Sequence, residues 1–198
     1  ASAAIRLFGT RSEIWYDRLP DGPPTNILRQ AFYSTPVAMI TSVVRRDALL
    51  AVGGFDESER WAEDFDLWLR LAHRYRFVGS REITANYRWH PGQLSTDPVH
   101  QWEATYRVRR RFLDGLGENG NEDTVTELAG IFRMRWEEDV QSAWDNDSAE
   151  WLRRLVQLAQ FVPDLHPSIK RKWSVRSRIP RPAVDFIRAL RARRATAS

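Results

Sequence analysis

The segment from Glu63 to Tyr75 has the spacing of a helix that is buried on most of its surface. Its apolar residues recur at helical intervals and are Phe65, Leu67, Trp68, Leu69, Leu71 and Ala72. Such a helix needs neighbouring elements to cover it. Residues 39–44 predict a strand before the helix in the sequence, and residues 82–88 predict a strand after it.

Other local patterns supply further elements. Short apolar runs at 5–8 and 13–16, separated by Gly9-Thr10-Arg11, predict a hairpin. Residues 46–52 predict a short helix closed by Gly53 with positive φ. Further helices are predicted at 99–116, 124–144 and 149–161, and an amphipathic helix at 183–194.

Length and composition limit the class of protein. A chain of 198 residues with 42% apolar content has room for one ordinary core and an appended helical segment. No run of about 18 apolar residues predicts a transmembrane helix, and no signal pattern opens the chain. The absence of cysteine excludes disulfides and thiolate metal sites and fits a reducing cytosol. Because the chain starts with Ala1 and its first residues read as the middle of a fold, we expect a fragment of a longer protein.

The charge is divided unevenly along the chain. From His166 onward there are ten basic residues and one acidic residue, a balance of +9, so the net charge of +4 leaves −5 for residues 1–165. A basic tail of this kind usually meets phosphate, on an anionic membrane or on nucleic acid. A solvated charge run without a partner is the alternative.

Four motifs follow one another at close spacing. They are Thr41-Ser42-Val43-Val44-Arg45-Arg46, Val52-Gly53-Gly54-Phe55-Asp56-Glu57, Ala62-Glu63-Asp64-Phe65-Asp66-Leu67-Trp68-Leu69-Arg70 and Tyr87-Arg88-Trp89-His90. In this order they closely resemble the C-terminal, acceptor-side half of the family 2 glycosyltransferases. In that family a strand ending in paired basic residues leads through a GGFDE turn to an EDxDLxLR helix. A YRxH segment comes later and is followed by a serine, here Ser95.

The resemblance implies an α/β fold: the C-terminal part of a GT-A, Rossmann-like domain at residues 1–97. A helical extension would follow at 98–165 and a basic tail at 166–198. It also implies transfer of a sugar, with inversion, from a nucleotide-sugar donor to a hydroxyl of a carbohydrate or lipid-linked acceptor. The setting would be cell-surface polysaccharide or glycolipid synthesis, in the cytoplasm and peripherally at the inner membrane face. The implied cofactor is a divalent cation, Mn²⁺ or Mg²⁺, bound with the donor.

Glu63 and Asp64 stand in the first turn of the predicted helix, where free N–H groups and the helix dipole stabilise anions. Acids at this position are ordinarily helix caps. Trp61, Phe65 and Trp68 lie close in sequence and would raise a carboxylate pKa by desolvation, as a general base requires. The resemblance assigns Asp64 the role of catalytic base and Glu63 that of orienting the acceptor or supporting Asp64.

The other candidates each have a plain structural alternative. Arg45 and Arg46 would approach the diphosphate or remain solvated, and Gly53 and Gly54 would admit a sugar or simply cap a helix. His90 would reach the metal ion by resemblance, although a lone histidine is more often a surface or core group.

Trp61 and Arg88 are assigned to substrate binding as well. Asp66 and Arg70, four residues apart on the predicted helix, are expected to form an ion pair rather than to take part in chemistry.

The family's other half supplies an Asp-x-Asp motif after a strand, and this sequence departs from that pattern. Its two matches, at 64–66 and 145–147, follow no apolar strand. We therefore expect the donor and its cation to be bound mostly by residues ahead of Ala1, and this chain alone to be inactive. The alternative is a non-catalytic module that binds membrane or nucleic acid through its tail, or a degenerate transferase. Nucleic acid is not expected, because only Trp173 of the nine tryptophans lies in the tail.

Overall fold

The computed structural model describes residues 1–9, 12–15, 19, 21–90, 98–146 and 148–179. The chain divides into two compact units, Ala1–Ile131 and Phe132–Ser198. The elements in order are β1 (Ser2–Gly9), β2 (Glu13–Trp15), α1 (Leu28–Tyr33), a 3₁₀ helix (Met39–Thr41), α2 (Arg46–Ala51), α3 (Glu63–Arg74), β3 (Gly79–Trp89), α4 (Pro98–Glu118), α5 (Glu122–Asp145), α6 (Ala149–Leu158) and α7 (Pro167–Arg176). This mixed architecture confirms the predicted α/β class.

The three described strands form one sheet in the order β2-β1-β3. β1 and β2 are antiparallel, which confirms the predicted hairpin. β3 is parallel to β1, from Ser2 beside Gly79 to Gly9 beside Trp89. Gly9 has φ +104°, and a Cβ there would lie 2.4 Å from the Trp89 carbonyl oxygen, so only glycine fits. A parallel pair needs a long crossover, and α1 to α3 lie within it.

The predicted strand at 39–44 is wrong. Residues Met39–Thr41 form a 3₁₀ helix, because the hydroxyls of Thr41 and Ser42 donate to the Ala38 carbonyl at 3.2 and 2.7 Å. Serine and threonine offer the backbone this local alternative to a strand ladder. Beyond the turn, the Val43 N–H donates to the Ala1 carbonyl at 2.8 Å.

The core of the first unit is built around α3, as predicted. Seven of its residues are buried, and the helix packs against α1 and α4. Burial of each large apolar side chain stabilises the fold by roughly 1.5–3 kcal/mol. The short helix α1, which sequence patterns did not indicate, contributes Ala31 and Phe32 to the same core.

A buried arginine joins the three helices of this core. Arg109 of α4 donates to the carbonyls of Phe32 and Tyr33 at 2.7 and 3.0 Å. These are the last residues of α1, whose carbonyls have no partner within the helix. The Arg109 guanidinium also lies 4.7 Å from the ring centre of Phe65 in α3.

The second unit is helical. The end of α5 packs on α6, where the Trp136 indole N–H donates to the Leu155 carbonyl at 2.7 Å.

The predictions at 99–116, 124–144 and 149–161 are confirmed as α4, α5 and α6. α7 was not predicted, and the predicted helix at 183–194 lies outside the described residues. No helix among the described ranges is long and apolar enough to cross a bilayer.

Candidate active site

The two acidic residues of the motif occupy the first turn of α3. Ala62, the residue before the helix, provides no side-chain cap. Asp64 does so in its place, since its Oδ1 accepts the Phe65 N–H at 2.6 Å. Glu63 is exposed, whereas Asp64 is partly buried. Asp64 therefore acts as a helix cap through one carboxylate oxygen, and its second oxygen is left for other partners.

Asp64 has the electrostatics that a general base requires. Burial raises the pKa of Asp64, the neighbouring charge of Glu63 raises it further, and the backbone N–H groups of Phe65 and Asp64 oppose the change. The net direction is upward, so this carboxylate holds a proton more readily than an exposed aspartate. This direction agrees with the predicted effect of burial, and the role of Asp64 as a general base stays a prediction.

One turn further along α3, Trp68 lies on the same helical face as Asp64. Its ring is buried and packs edge-on against Phe77. Its indole N–H finds no acceptor among the described residues. Trp68 is therefore a buried hydrogen-bond donor one helical turn after Asp64.

Trp61 fixes the approach to α3. Its ring stacks on that of His100 at the start of α4, with centroids 5.0 Å apart and planes 18° from parallel. The Arg60 guanidinium lies 5.9 Å from the same ring. Both groups crowd the indole, and a substrate contact by Trp61 stays a prediction.

The two glycines of the motif form the turn that ends α2. The N–H of Gly53 donates to Leu50 and that of Gly54 donates to Leu49, both at 3.0 Å, in the pattern of a Schellman cap. Their φ angles are +85° and +69°, as predicted for Gly53. No heavy atom lies within 4 Å of a Cβ built at either glycine. The cap thus presents open backbone, beside which Phe55 is 46% exposed.

A network of carboxylates and arginines holds the loop that contains Gly53 and Gly54, called the glycine loop below. The predicted pair is confirmed: Arg70 donates to Asp66 Oδ2 at 2.6 and 2.8 Å, and it also donates to the Val52 carbonyl. From α4, Arg111 contacts Asp66 at 2.8 Å and Asp56 at 3.1 Å.

A second arginine of α4 extends the network, because Arg107 contacts Glu59 at 3.3 Å. Asp56 also accepts from Ser58, which lowers the pKa of Asp56, and the charge of Arg111 adds to the effect. Sequence reasoning missed Arg107 and Arg111. Their one local signal is the i,i+4 spacing on α4, since Arg111 and Asp66 are 45 residues apart.

The basic candidates lie on other elements. Arg45, just before α2, is exposed and bridges both oxygens of Asp47 at 3.2 and 2.9 Å. Arg46 is also exposed. Arg88 in β3 lies beside Phe8 of β1, with its guanidinium 5.3 Å from the ring centre. The structure therefore links Gly53 and Gly54 to the helix that bears Asp64, while the roles of the three arginines stay predictions.

His90 follows the last residue of β3 and is exposed. It stands at the carboxyl end of the parallel β1–β3 pair, the edge where open α/β sheets bind ligands. Within the described ranges, no group of three or more His, Cys, Asp or Glu side chains is placed to hold a metal ion. Ser95, the last motif residue, lies outside the described residues.

Comparison with protein families gives one finding that bears on this site. The model of glycosyltransferase-like family 2 matches residues 26–159, a range that holds α1 to α6 and every predicted site residue. Neither the curated proteins nor the solved structures give a match.

Proposed function

The chain belongs to glycosyltransferase-like family 2, and we propose that it carries the acceptor side of an inverting sugar transfer with Asp64 as general base. The donor is a nucleotide sugar and the acceptor group is a hydroxyl. The observation that carries the proposal is a partly buried carboxylate with a raised pKa, in the first turn of the helix that holds the matched motif.

The chemistry is a single displacement. Asp64 takes the proton of the acceptor hydroxyl as that oxygen forms a bond to the anomeric carbon of the donor. The bond from the anomeric carbon to the phosphate oxygen breaks, and the nucleoside diphosphate leaves with its electron pair. Attack from the face opposite the leaving group inverts the anomeric configuration. Glu63 orients the acceptor, and its charge adds to the effect of burial, which is the main cause of the raised pKa of Asp64.

The glycine loop supplies a surface for the sugar. Open space above Gly53 and Gly54 lets a pyranose approach the backbone, and the exposed Phe55 ring offers an apolar face beside it. The arginine network supports this role, since a loop fixed before binding loses little entropy on binding. Trp61 completes the substrate contacts at the start of α3.

The basic residues belong to the same proposal. Arg45, Arg46 and Arg88 meet phosphate oxygens or hydroxyls of the substrates. All three are exposed, and guanidinium groups suit phosphate oxygens by their paired donors.

A divalent cation, Mn²⁺ or Mg²⁺, belongs to the proposal through His90. The described residues offer this one imidazole and no cluster of three or more candidate ligands, and we place most of the ligands outside them. When bound, the cation neutralises charge on the leaving diphosphate. The donor is accordingly bound mainly by residues beyond this chain, and the chain alone is inactive.

Acceptor and location are the remaining parts of the proposal. A carbohydrate or lipid-linked acceptor, used for cell-surface polysaccharide or glycolipid at the cytoplasmic face of the inner membrane, agrees with the basic C-terminal segment.

The test is Asp64→Asn in a longer protein that carries this chain with a complete donor site. We expect kcat to fall by about 10²–10⁴, the usual contribution of a general base, with nucleotide affinity nearly unchanged. Glu57→Gln is the matched control, because Glu57 is an exposed acidic residue seven positions before Asp64 in the sequence. If Asp64→Asn retained most of the wild-type kcat, Asp64 would be a helix cap only.

A further inference from the structure

Helix α7 presents a cationic face in the second unit. The exposed residues of this face, which includes the turn after the helix, are Lys170, Arg171, Lys172, Val175 and Arg178. No acidic residue occurs between Pro167 and Ile179. No described carboxylate forms an ion pair with these four cations. All four side chains are exposed.

The opposite side of α7 fixes the helix in place. Trp173 is 3% exposed, and the side chains of Lys172 and Arg176 lie 5.1 and 4.9 Å from its ring centre. Arg176 also lies 5.2 Å from the ring centre of Trp144, at the end of α5. Pro167 occupies the first turn and the His166 side chain accepts the Ser168 N–H, so the helix has a defined start. The cationic face is thus presented by an anchored helix.

We infer that this face binds the phosphate groups of an anionic lipid surface and holds the protein there peripherally. Such binding would serve the proposed transferase, on whose function its purpose rests, but the binding itself needs no sugar. Charge complementarity supports it: the segment from His166 carries +9 and the rest of the chain −5. An anionic surface attracts the first and repels the second.

Two observations favour lipid over nucleic acid. Val175 is 57% exposed among the cations, and an apolar side chain flanked by basic residues suits the headgroup boundary. Sites for single-stranded nucleic acid present aromatic rings on which bases stack. Here the α7 ring, Trp173, is buried on the side of the helix opposite the cationic face.

The strength of such binding follows from charge. Each Lys or Arg near an anionic leaflet changes the partition constant roughly fivefold, and the attraction decays over a Debye length of about 8–10 Å. Binding is therefore reversible and weakened by salt. Removal of four charges from α7 should weaken it by at least about tenfold, even with the basic residues after Ile179 retained.

The experiment is co-sedimentation of the intact chain with phosphatidylcholine vesicles, with and without phosphatidylglycerol, at low and high salt. One variant combines Lys170→Gln, Arg171→Gln, Lys172→Gln and Arg178→Gln. The matched control removes four exposed arginines of the first unit by Arg29→Gln, Arg60→Gln, Arg76→Gln and Arg81→Gln. Circular dichroism checks that each variant is folded.

We expect the wild type and the control to sediment with the anionic vesicles at low salt only, and the α7 variant to bind at least about tenfold more weakly. Equal binding by the α7 variant, or equal binding to both kinds of vesicle, would overturn the inference. So would displacement from the vesicles by a single-stranded oligonucleotide that binds more tightly at the same salt. None of these outcomes depends on transferase activity, so the proposed function is tested separately.

Discussion

Asp64 is subject to two opposing influences. The start of α3 offers N–H groups that stabilise its negative charge, while burial and the adjacent Glu63 destabilise it. Burial prevails, and the pKa of Asp64 rises. A carboxylate whose charged form is destabilised lowers the stability of the fold and is a stronger base. This trade-off between stability and activity is expected at an active site.

This compromise predicts a pH dependence of stability. The pKa of Asp64 in the folded chain is raised above its ordinary 3.8. The folded state therefore holds this proton more tightly than the unfolded state. The favourable contribution is fully present below the ordinary pKa and is lost as pH rises through the raised folded pKa. Asp64→Asn removes the titration, so the variant should gain stability over the wild type as pH rises from acid to neutral.

Urea unfolding of both proteins across that pH range measures the difference. Glu57→Gln serves as the control, because Glu57 is exposed and its variant should show no comparable trend. A gain for Asp64→Asn that shrank toward neutral pH would contradict the direction of the pKa change.

His90 gives a second prediction at this scale. In the longer protein, His90→Ala should weaken nucleotide binding in the presence of Mn²⁺ by at least about tenfold, with a smaller effect when metal is absent. His166→Ala is the control, since His166 lies in the second unit and caps α7. Mn²⁺ titrations followed by calorimetry measure both, and an unchanged titration would remove His90 from the site.

At the scale of elements, local signals were predictable and distant ones were not. The apolar spacing of α3 and the glycine cap of α2 are encoded within a few residues, and both were predicted. The segment 39–44 failed because hydroxyl bonds to Ala38 outweighed β propensity. α7 was missed because a basic segment containing Pro167 resembles a linker, although proline favours the first turn of a helix.

The site divides in the same way. The motif located Asp64 at a helix start and Gly53 and Gly54 in a helix cap, because these positions depend on neighbours in sequence. Their roles toward substrates stay predictions. The contacts of Arg111 depend on how α4 packs against α3 and on the loop that holds Asp56. Such partners are set by tertiary structure, and a single sequence carries no signal for them.

The loop network yields a prediction. Arg111→Met should destabilise the chain by about 1–2 kcal/mol, because the buried Asp66 loses one of its two arginine partners. In the longer protein it should also raise the KM for substrate by loosening the glycine loop. Arg110→Met is the matched control, since Arg110 pairs with the exposed Asp114 of its own helix and should cost about 0–0.5 kcal/mol.

Denaturant unfolding and initial-rate kinetics measure these effects. Coupling between Arg111→Met and Asp66→Asn in a double-mutant cycle would identify the contact responsible. Equal stabilities of the Arg111 and Arg110 variants would show that the network does not hold the loop.

For the whole molecule, the family assignment and the α/β class were predicted from the sequence and are confirmed. The family match ends at residue 159 and includes α4, α5 and α6, which the sequence suggested as an extension. Packing explains this for α4, whose arginines bind α1 and the glycine loop within the first unit. The domain boundaries proposed at 97 and 165 stay predictions.

The last prediction concerns the donor. Phosphate sites of α/β proteins commonly follow a strand with a glycine-rich turn and a helix whose N-terminal N–H groups face the phosphate. Here β1 is followed along the chain by the antiparallel strand β2, and no three metal-ligating side chains cluster within the described part of the chain. As the sequence predicts, we expect this chain alone to bind UDP, GDP and TDP sugars more weakly than about 1 mM, even with Mn²⁺. Calorimetry on the chain, with the longer protein as positive control, measures this. Micromolar affinity for any of these sugars would place the donor site within these residues. It would contradict the proposal that residues beyond this chain bind the donor.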